Sequence, residues 1–354
     1  KEIKRITFNE ITKTAIRDAL DEAGSVDMNL VDAAKVRRFM DRLIGYRASR
    51  FARSWSLSSM GRVQTPALAF IVNKEKDIQK FVATPYWAVQ ALASGIDFRV
   101  RFHDRDDPLV WKDEKGKIDT HRTNSTDSAK KVFDSLNFEK QIMISKVSLN
   151  TYKRRPKAPF TTDTLLQAAG SKYSWRPSNT MRVAQGLYEA GHITYMRTDS
   201  TRTSASSREK AHEKIVSKWS KELLGKGVGG GKPKSGIQDA HEAIRPTDPL
   251  IELPGGLDES QVRLYRLIWS RFIASQMIDS EWTSMKLIAN LETFERPLDG
   301  DTKWRVTPGW ESAFEAIQKA PSISPPKPEI LEGKSIKLDA GDENPRLIED
   351  KDAL

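Results

Sequence analysis

The sequence predicts an α+β protein of several domains. Three observations carry this reading. Residues 1–80 are dominated by helical spacing, residues 81–153 and 280–354 alternate apolar with polar residues as strands do, and residues 154–279 return to helical spacing. At 354 residues the chain can bury two or three sizeable cores. The two β-rich stretches are expected to pair into one sheet domain interrupted by the helical insertion.

The opening "KEIKRITFNEIT" reads as a strand running into a capped segment. In "VDAAKVRRFMDRLIGY", Val36, Phe39, Met40, Leu43 and Ile44 fall on one stripe, which predicts a buried helical face. Arg38 and Arg42 share a flank of that helix, and Arg37 and Asp41 are spaced to pair. "SSMGRVQTPALAFIVNKEKDI" runs from a small-residue loop into a helix, with Thr65 as N-cap and Pro66 at the first helical position. "YWAVQALASGIDFRVRFH" and "KQIMISKVSLNTYKRR" predict strands, and "WTSMKLIANLETF", "KWRVTPGW" and "KSIKLDA" share their style. Within the insertion, "FTTDTLLQAAGSKY" has a threonine cap, and "RPSNTMRVAQGLYEAG" starts at a Pro/Ser turn and stops at Gly191. "HITYMRT" then predicts a strand. Helix, turn, helix, strand is the order of a winged helix-turn-helix unit, shared with many α/β units. "GKGVGGGKPKSG", residues 225–236, reads as a flexible basic loop.

Composition narrows the function. Lys and Arg total 58 against 48 Asp and Glu, a net charge of +10, which favours a polyanionic partner such as nucleic acid. The absence of cysteine excludes disulfides, thiol nucleophiles and cysteine-zinc ribbons. Five scattered histidines form no histidine-rich cage. No apolar run reaches the length of a membrane span, and a cytoplasmic or nuclear setting is expected. Both ends read as cut, so the chain is expected to be a fragment.

Three short stretches hold residues suited to phosphodiester chemistry. In "GHITYMRTDS", a strand would place Ile193, Tyr195 and Arg197 on one face. A phenol of pKa about 10 is a poor nucleophile at neutral pH, and a neighbouring guanidinium favours the phenolate and can hold a phosphate oxygen. On spacing alone, a packed tyrosine beside a surface arginine is the commoner outcome. In "SSMGRVQTP", Gly61 permits close backbone approach, Arg62 precedes a helix N-terminus that favours phosphate, and Gln64 adds a neutral polar group. In "DAHEAIRPTD", His241 and Arg245 are spaced to grip a phosphate together, although a lone histidine is more often solvated or core-capping. Asp104 and Asp106 in "HDRDDP" have the spacing of a magnesium site but read as a charged hairpin turn, and Asp299 and Asp301 in "LDGDT" read the same way.

Taken together, "KRITFNEITKTAI", "AKVRRFMDRLIGY", "SMGRVQTPAL", "APFTTDTLLQAA", "GHITYMRTDS" and "AHEAIRP" resemble the motifs of type IA DNA topoisomerases, in that family's order and over nearly the whole chain. The resemblance implies a toroidal clamp. Residues 1–80 resemble part of its helical base, 81–153 and 280–354 its β-rich arch with a truncated return to the base, and 154–279 its winged-helix nucleophile domain. It implies that Tyr195 attacks single-stranded DNA to give a 5′-phosphotyrosyl link, that Arg197 supports the scissile phosphate and that His241 belongs to the active-site surroundings. Arg38, Arg42, Ser59, Gly61, Arg62 and Gln64 match single-strand-binding positions, and Arg37, Asp41 and Arg47 beside them are assigned to the same groove. Single-stranded and negatively supercoiled DNA are the implied partners of a monomer, in the cytoplasm beside the nucleoid if the source is prokaryotic. Magnesium is the implied cofactor, held by an acidic triad in a Toprim domain expected ahead of residue 4. That domain would also supply a catalytic glutamate and a lysine, so no metal site is expected in this chain, and the chain alone is expected to be inactive. Met60 departs from the alanine often seen in bacterial forms, which leaves topoisomerase I-like and III-like subfamilies both open. A non-catalytic single-stranded-DNA clamp is the second reading.

Overall fold

The computed structural model describes residues 3–8, 10–228, 242–315, 317, 325, 330–341 and 343–350. It opens with a short two-stranded pairing of β1 (Lys4–Arg5) with β2 (Gly24–Ser25) around α1 (Lys13–Asp21). Thr12 caps α1 by accepting the amide of Ala15. Two longer helices follow, α2 (Met28–Arg53) and α3 (Gln64–Gln79). Asp27 caps α2 through the amides of Asn29 and Leu30.

The predicted buried face of α2 is not buried. Val36, Phe39, Met40, Leu43 and Ile44 are 42–64 % exposed, and Ala52 alone is buried in that helix. Spacing specifies that a helix has an apolar stripe; it does not supply the element that covers it. The start of α3 also differs. Val63 precedes the helix without a side-chain cap, and Thr65 is already in the first turn, its amide bound to the Gly61 carbonyl at 3.2 Å. Pro66 still falls where a helix has no use for the missing N–H.

Seven strands form one sheet in the order β8-β5-β6-β7-β4-β3-β9, and every neighbouring pair is antiparallel. The strands are β3 (Tyr86–Ala93), β4 (Ile96–Val100), β5 (Gln141–Arg154), β6 (Ser280–Asn290), β7 (Leu298–Thr307), β8 (Ser335–Lys337) and β9 (Arg346–Asp350). The longest pairing, β5 with β6, therefore joins the two stretches that flank the insertion. One face packs on α4 (Thr126–Glu139) through Phe98, Val100, Val132, Leu136, Ile142, Ile144 and Leu287. Asp104 does sit in a turn, closed by the Asp107 amide on its carbonyl. Asp299 and Asp301 do not: they lie within β7, where Arg101 and His121 bind Asp299 and Arg99 faces Asp301.

The insertion is a separate helical body. It contains α5 (Thr162–Tyr173), α6 (Pro177–Glu189), α7 (Ala205–Lys218) and α8 (Glu259–Ala274). Its core gathers Phe160, Leu165, Leu187, Ile193, Met196, Ile244, Trp269 and Phe272. Pro177 sits at the first position of α6, and Gly191 ends that helix with φ +76°. The predicted strand over 192–198 is absent: Ile193 forms one isolated bridge with Pro246, and the rest is irregular. Side-chain bonds from threonines replace the ladder there. The body meets the sheet where Trp310 donates to the Arg154 carbonyl at 2.8 Å, and where Glu311 accepts from Ser280 and Trp282 at 2.8 and 2.9 Å.

Candidate active site and nucleic-acid groove

Tyr195 lies on the irregular segment between α6 and α7. Alternation survives without a strand: Tyr195 is half-buried, Met196 buried, Arg197 exposed, Thr198 buried and Asp199 exposed. Ile193, expected on the face of Tyr195 and Arg197, is fully buried in the helical core. A half-buried phenol and an exposed guanidinium thus stand two residues apart. The Tyr195 ring packs edge-on against Tyr188, with centroids 5.3 Å apart. Burial raises the Tyr188 phenol above its ordinary pKa, and the charge of Tyr195 adds to that rise.

Two sets of hydrogen bonds fix this segment. From one side, the N-terminus of α5 grips it through Thr162. The Thr162 hydroxyl lies 2.8 Å from the Met196 carbonyl and 3.0 Å from that of Thr198, and it accepts the Thr198 amide at 2.9 Å. The Thr162 amide donates to the Thr198 carbonyl at 2.9 Å. From the other side, residues 243–247 hold it through Thr194. The Thr194 amide donates to the Arg245 carbonyl at 3.0 Å, its hydroxyl donates to Ala243 at 2.7 Å, and the same hydroxyl accepts the Arg245 amide at 3.0 Å. Thr247 closes the strap with bonds to His192 and Gly191. Both neighbours of Tyr195 in the chain are therefore pinned by their backbone.

Arg245 does not serve as the exposed phosphate grip that its spacing from His241 suggests. Its side chain is 5 % exposed and bonds Glu242 and Glu10. His241 lies outside the described residues. Residues 229–236 of the basic loop do as well.

A second cluster is built on α2. Arg37, Arg38, Asp41, Arg42, Gly45, Tyr46, Ser49 and Met60 line a groove of about 520 Å³. The loop before α3 is pinned to α2 because the Ser49 hydroxyl both donates to the Met60 carbonyl at 3.2 Å and accepts its amide at 3.1 Å. Arg62 binds Asp41 at 2.7 Å, and Arg37 stands 3.8 Å from the same carboxylate. Ser59 donates to Gln64 at 3.4 Å, beside Gly61, where a Cβ would lie 3.6 Å from Gln64. Arg47 is exposed but is not among the residues that line the groove. Arg38 and Arg42 have no ion pair among the described residues, so the groove keeps uncompensated positive charge.

No group of three or more metal-binding side chains occurs among the described residues. Of the aspartates at D-x-D spacing, Asp104 faces Arg296, Asp299 binds Arg101 and His121, and Asp301 faces Arg99. No helix among the described residues is long and apolar enough to cross a membrane.

Sequence reasoning missed Thr162 and Thr194 as holders of the tyrosine segment, and it singled out Arg245 for a phosphate grip rather than for this role. The available signal was two adjacent threonines at a helix entry. That pattern reads as a cap, and Thr161 is indeed the cap residue of α5.

Known proteins agree with the motifs. A family profile described as "DNA topoisomerase" matches residues 25–344. DNA topoisomerase 1 of Pseudomonas aeruginosa is 37 % identical over 360 residues, covering 95 % of this chain and 38 % of the relative. The structure of full-length topoisomerase I from Thermotoga maritima superposes with a TM-score of 0.77 at 28 % identity, covering 98 % of this chain and 54 % of that one. The chain thus spans well under two thirds of either relative. Matched over nearly all of its length by profile, sequence and fold, the chain belongs to the type IA DNA topoisomerase family.

Proposed function

We propose that this chain is the tyrosine-bearing part of an enzyme that cuts and rejoins single-stranded DNA. The observation that carries the reading is the Tyr195 segment: its backbone is pinned on both sides, with Tyr195 half-buried and Arg197 exposed two residues on. The phenolic oxygen attacks phosphorus, an O–P bond forms, and the bond to the 3′-oxygen breaks. The phenol loses a proton and the leaving 3′-oxygen gains one. After a second strand passes, the 3′-hydroxyl attacks back and releases the tyrosine. The phosphodiester energy is kept in the covalent link, so rejoining needs no ATP. Arg197 stabilises the developing phosphate charge, and His241 belongs to the active-site surroundings.

In the same reading, the α2 groove holds the single strand through Arg38, Arg42 and Arg62, with Arg37, Asp41, Arg47, Ser59, Gly61 and Gln64 around it. Residues 1–80 are the helical base, the sheet is the arch of a toroidal clamp, and residues 154–279 are the winged-helix nucleophile domain. Magnesium belongs to a site outside this chain. The whole enzyme acts as a monomer on negatively supercoiled DNA in the cytoplasm.

The test uses a polypeptide restoring the parts present in the relatives, a 3′-end-labelled single-stranded oligonucleotide and magnesium. Label becomes protein-bound because the link is to the 5′-phosphate. Tyr195→Phe keeps the ring against Tyr188, deletes the attacking oxygen, and is expected to abolish the adduct while DNA binding persists. A protein-bound label with Tyr195→Phe would place the nucleophile elsewhere.

A further inference from the structure

The strongest link between the N-terminal helices and the tyrosine segment runs through one buried arginine. The Arg245 guanidinium bonds Glu242 at 2.6–2.8 Å, Glu10 at 3.1 Å and the Pro246 carbonyl at 3.1 Å, with the Ser204 hydroxyl at 3.4 Å. Its main chain exchanges two bonds of 3.0 Å with Thr194, the residue before Tyr195. On the far side, Glu10 also accepts from the hydroxyl of Thr12, which caps α1. A hydrogen-bonded path therefore runs from the α1 cap through Glu10 and Arg245 to Thr194, the residue before Tyr195. A second contact lies alongside it. A Cβ on Gly191 would sit 2.8 Å from the Ile11 carbonyl, so the backbone of residue 11 lies directly against the turn that leads into the tyrosine segment.

We propose that Glu10 and Arg245 form a latch that sets the N-terminal helices, and with them the α2 groove, relative to Tyr195. Arg245 is then a positioning residue for the reaction described above, and its role in that reaction rests on that reading. The chemistry suits a latch. A buried guanidinium stripped of all its carboxylates is costly, but Arg245 keeps Glu242 when Glu10 leaves. The pair with Glu10 can therefore open without unfolding the helical body. Glu10 is the more exposed partner, at 21 % against 5 %, so water reaches the contact from the side of the N-terminal segment.

The absence of native cysteine makes the test direct. Lys74→Cys on α3 and Glu213→Cys on α7 place two nitroxide labels at exposed positions on either side of the latch. Pulsed electron–electron resonance is expected to give one narrow distance distribution in the otherwise unchanged full chain. Glu10→Ala is expected to lose that narrow distribution while circular dichroism stays unchanged. Glu10→Gln retains an acceptor for the guanidinium and is expected to restore it, which a general loss of packing would not do. A distribution in Glu10→Ala that superposes on the parent overturns the latch, as does one in Glu10→Gln as broad as in Glu10→Ala. Single-stranded oligonucleotide binding, measured on the same samples, tests the functional reading separately: failure of the parent to bind DNA would count against that reading and leave the distance result standing.

Discussion

Removing the Thr162 hydroxyl should loosen the tyrosine segment without touching a residue that meets DNA in the proposed reaction. In Thr162→Val the side-chain volume is nearly kept, so the loss is one of hydrogen bonds. The hydroxyl donates toward the Met196 carbonyl at 2.8 Å and accepts the Thr198 amide at 2.9 Å. Thr198 is 6 % exposed and Met196 1 %, so water does not freely replace either bond. The Thr198 carbonyl loses the hydroxyl at 3.0 Å but keeps the Thr162 amide at 2.9 Å, so it is not left without a donor. Two bonds at about 1 kcal/mol each give a local cost of about 2 kcal/mol, more if the freed amide stays unsolvated. At about 1.4 kcal/mol per tenfold, that is roughly a 30-fold rise in the population that exposes the Thr198 amide. Hydrogen exchange resolved to single amides reads this directly. Thr198 should lose about 30-fold protection in Thr162→Val. Thr162→Ser keeps the hydroxyl and should stay near the parent, and amides in α8 should not change in either variant. Unchanged protection at Thr198 in the valine variant would show that Thr162 does not hold the segment.

Three further outcomes are expected. Single-stranded-DNA affinity should fall with salt by a log–log slope of about −0.7 per phosphate contact, and Arg38→Ala with Arg42→Ala should flatten it; an unaltered slope would remove the groove assignment. Gly300→Ala should destabilise the sheet by about 1–3 kcal/mol in chemical denaturation, because the added Cβ would lie 2.6 Å from the ring of fully buried Phe98; a neutral result would mean the ring moves aside. His121 is held above its ordinary pKa by the carboxylates of Asp119 and Asp299, against desolvation and the charge of Arg99, while its hydrogen bonds hold Asp119 down to about 2. The Asp119 contribution is present above the free-carboxylate value and lost as pH falls through about 2; the His121 contribution is present below about pH 6.5 and lost as pH rises through its folded value. Residues 111–123 should therefore be best protected between about pH 4 and 6.5, and an NMR titration midpoint for His121 at or below about 6.5 would contradict this.

Local chemistry was legible in the sequence where it depends on near neighbours. Thr161, Pro177 and Gly191 declare the ends of α5 and α6 because caps and turns are set by backbone geometry within a few residues. Tyr195 and Arg197 stood out for the same reason, as a motif written in consecutive residues. What could not be read is whatever depends on a distant partner. The α2 stripe has the spacing of a core helix, yet its residues are largely exposed among the described elements. Asp299 and Asp301 have the spacing of a turn or metal pair, yet Arg101, His121 and Arg99 draw them into β7.

The Tyr195 segment joins the two cases. Alternation in "HITYMRT" is preserved as alternating burial only from Thr194 onward, since Ile193 and Thr194 are both buried, and a strand also needs a neighbour offering a ladder. Pro246 lies opposite Ile193 in a single bridge, closed by the Thr194 amide on the Arg245 carbonyl and the Thr247 amide on the His192 carbonyl, and the pairing goes no further. Beside these backbone bonds, the hydroxyls of Thr162, Thr194 and Thr247 satisfy further backbone groups of the segment. A ladder would have tied the segment to one edge. Hydroxyl bonds tie it to a helix N-terminus on one side and to the Arg245 strap on the other, so both elements must keep their places for Tyr195 to keep its own. The position of the phenol is therefore a property of the packed body and its latch to the N-terminal segment, although its identity is a property of the motif.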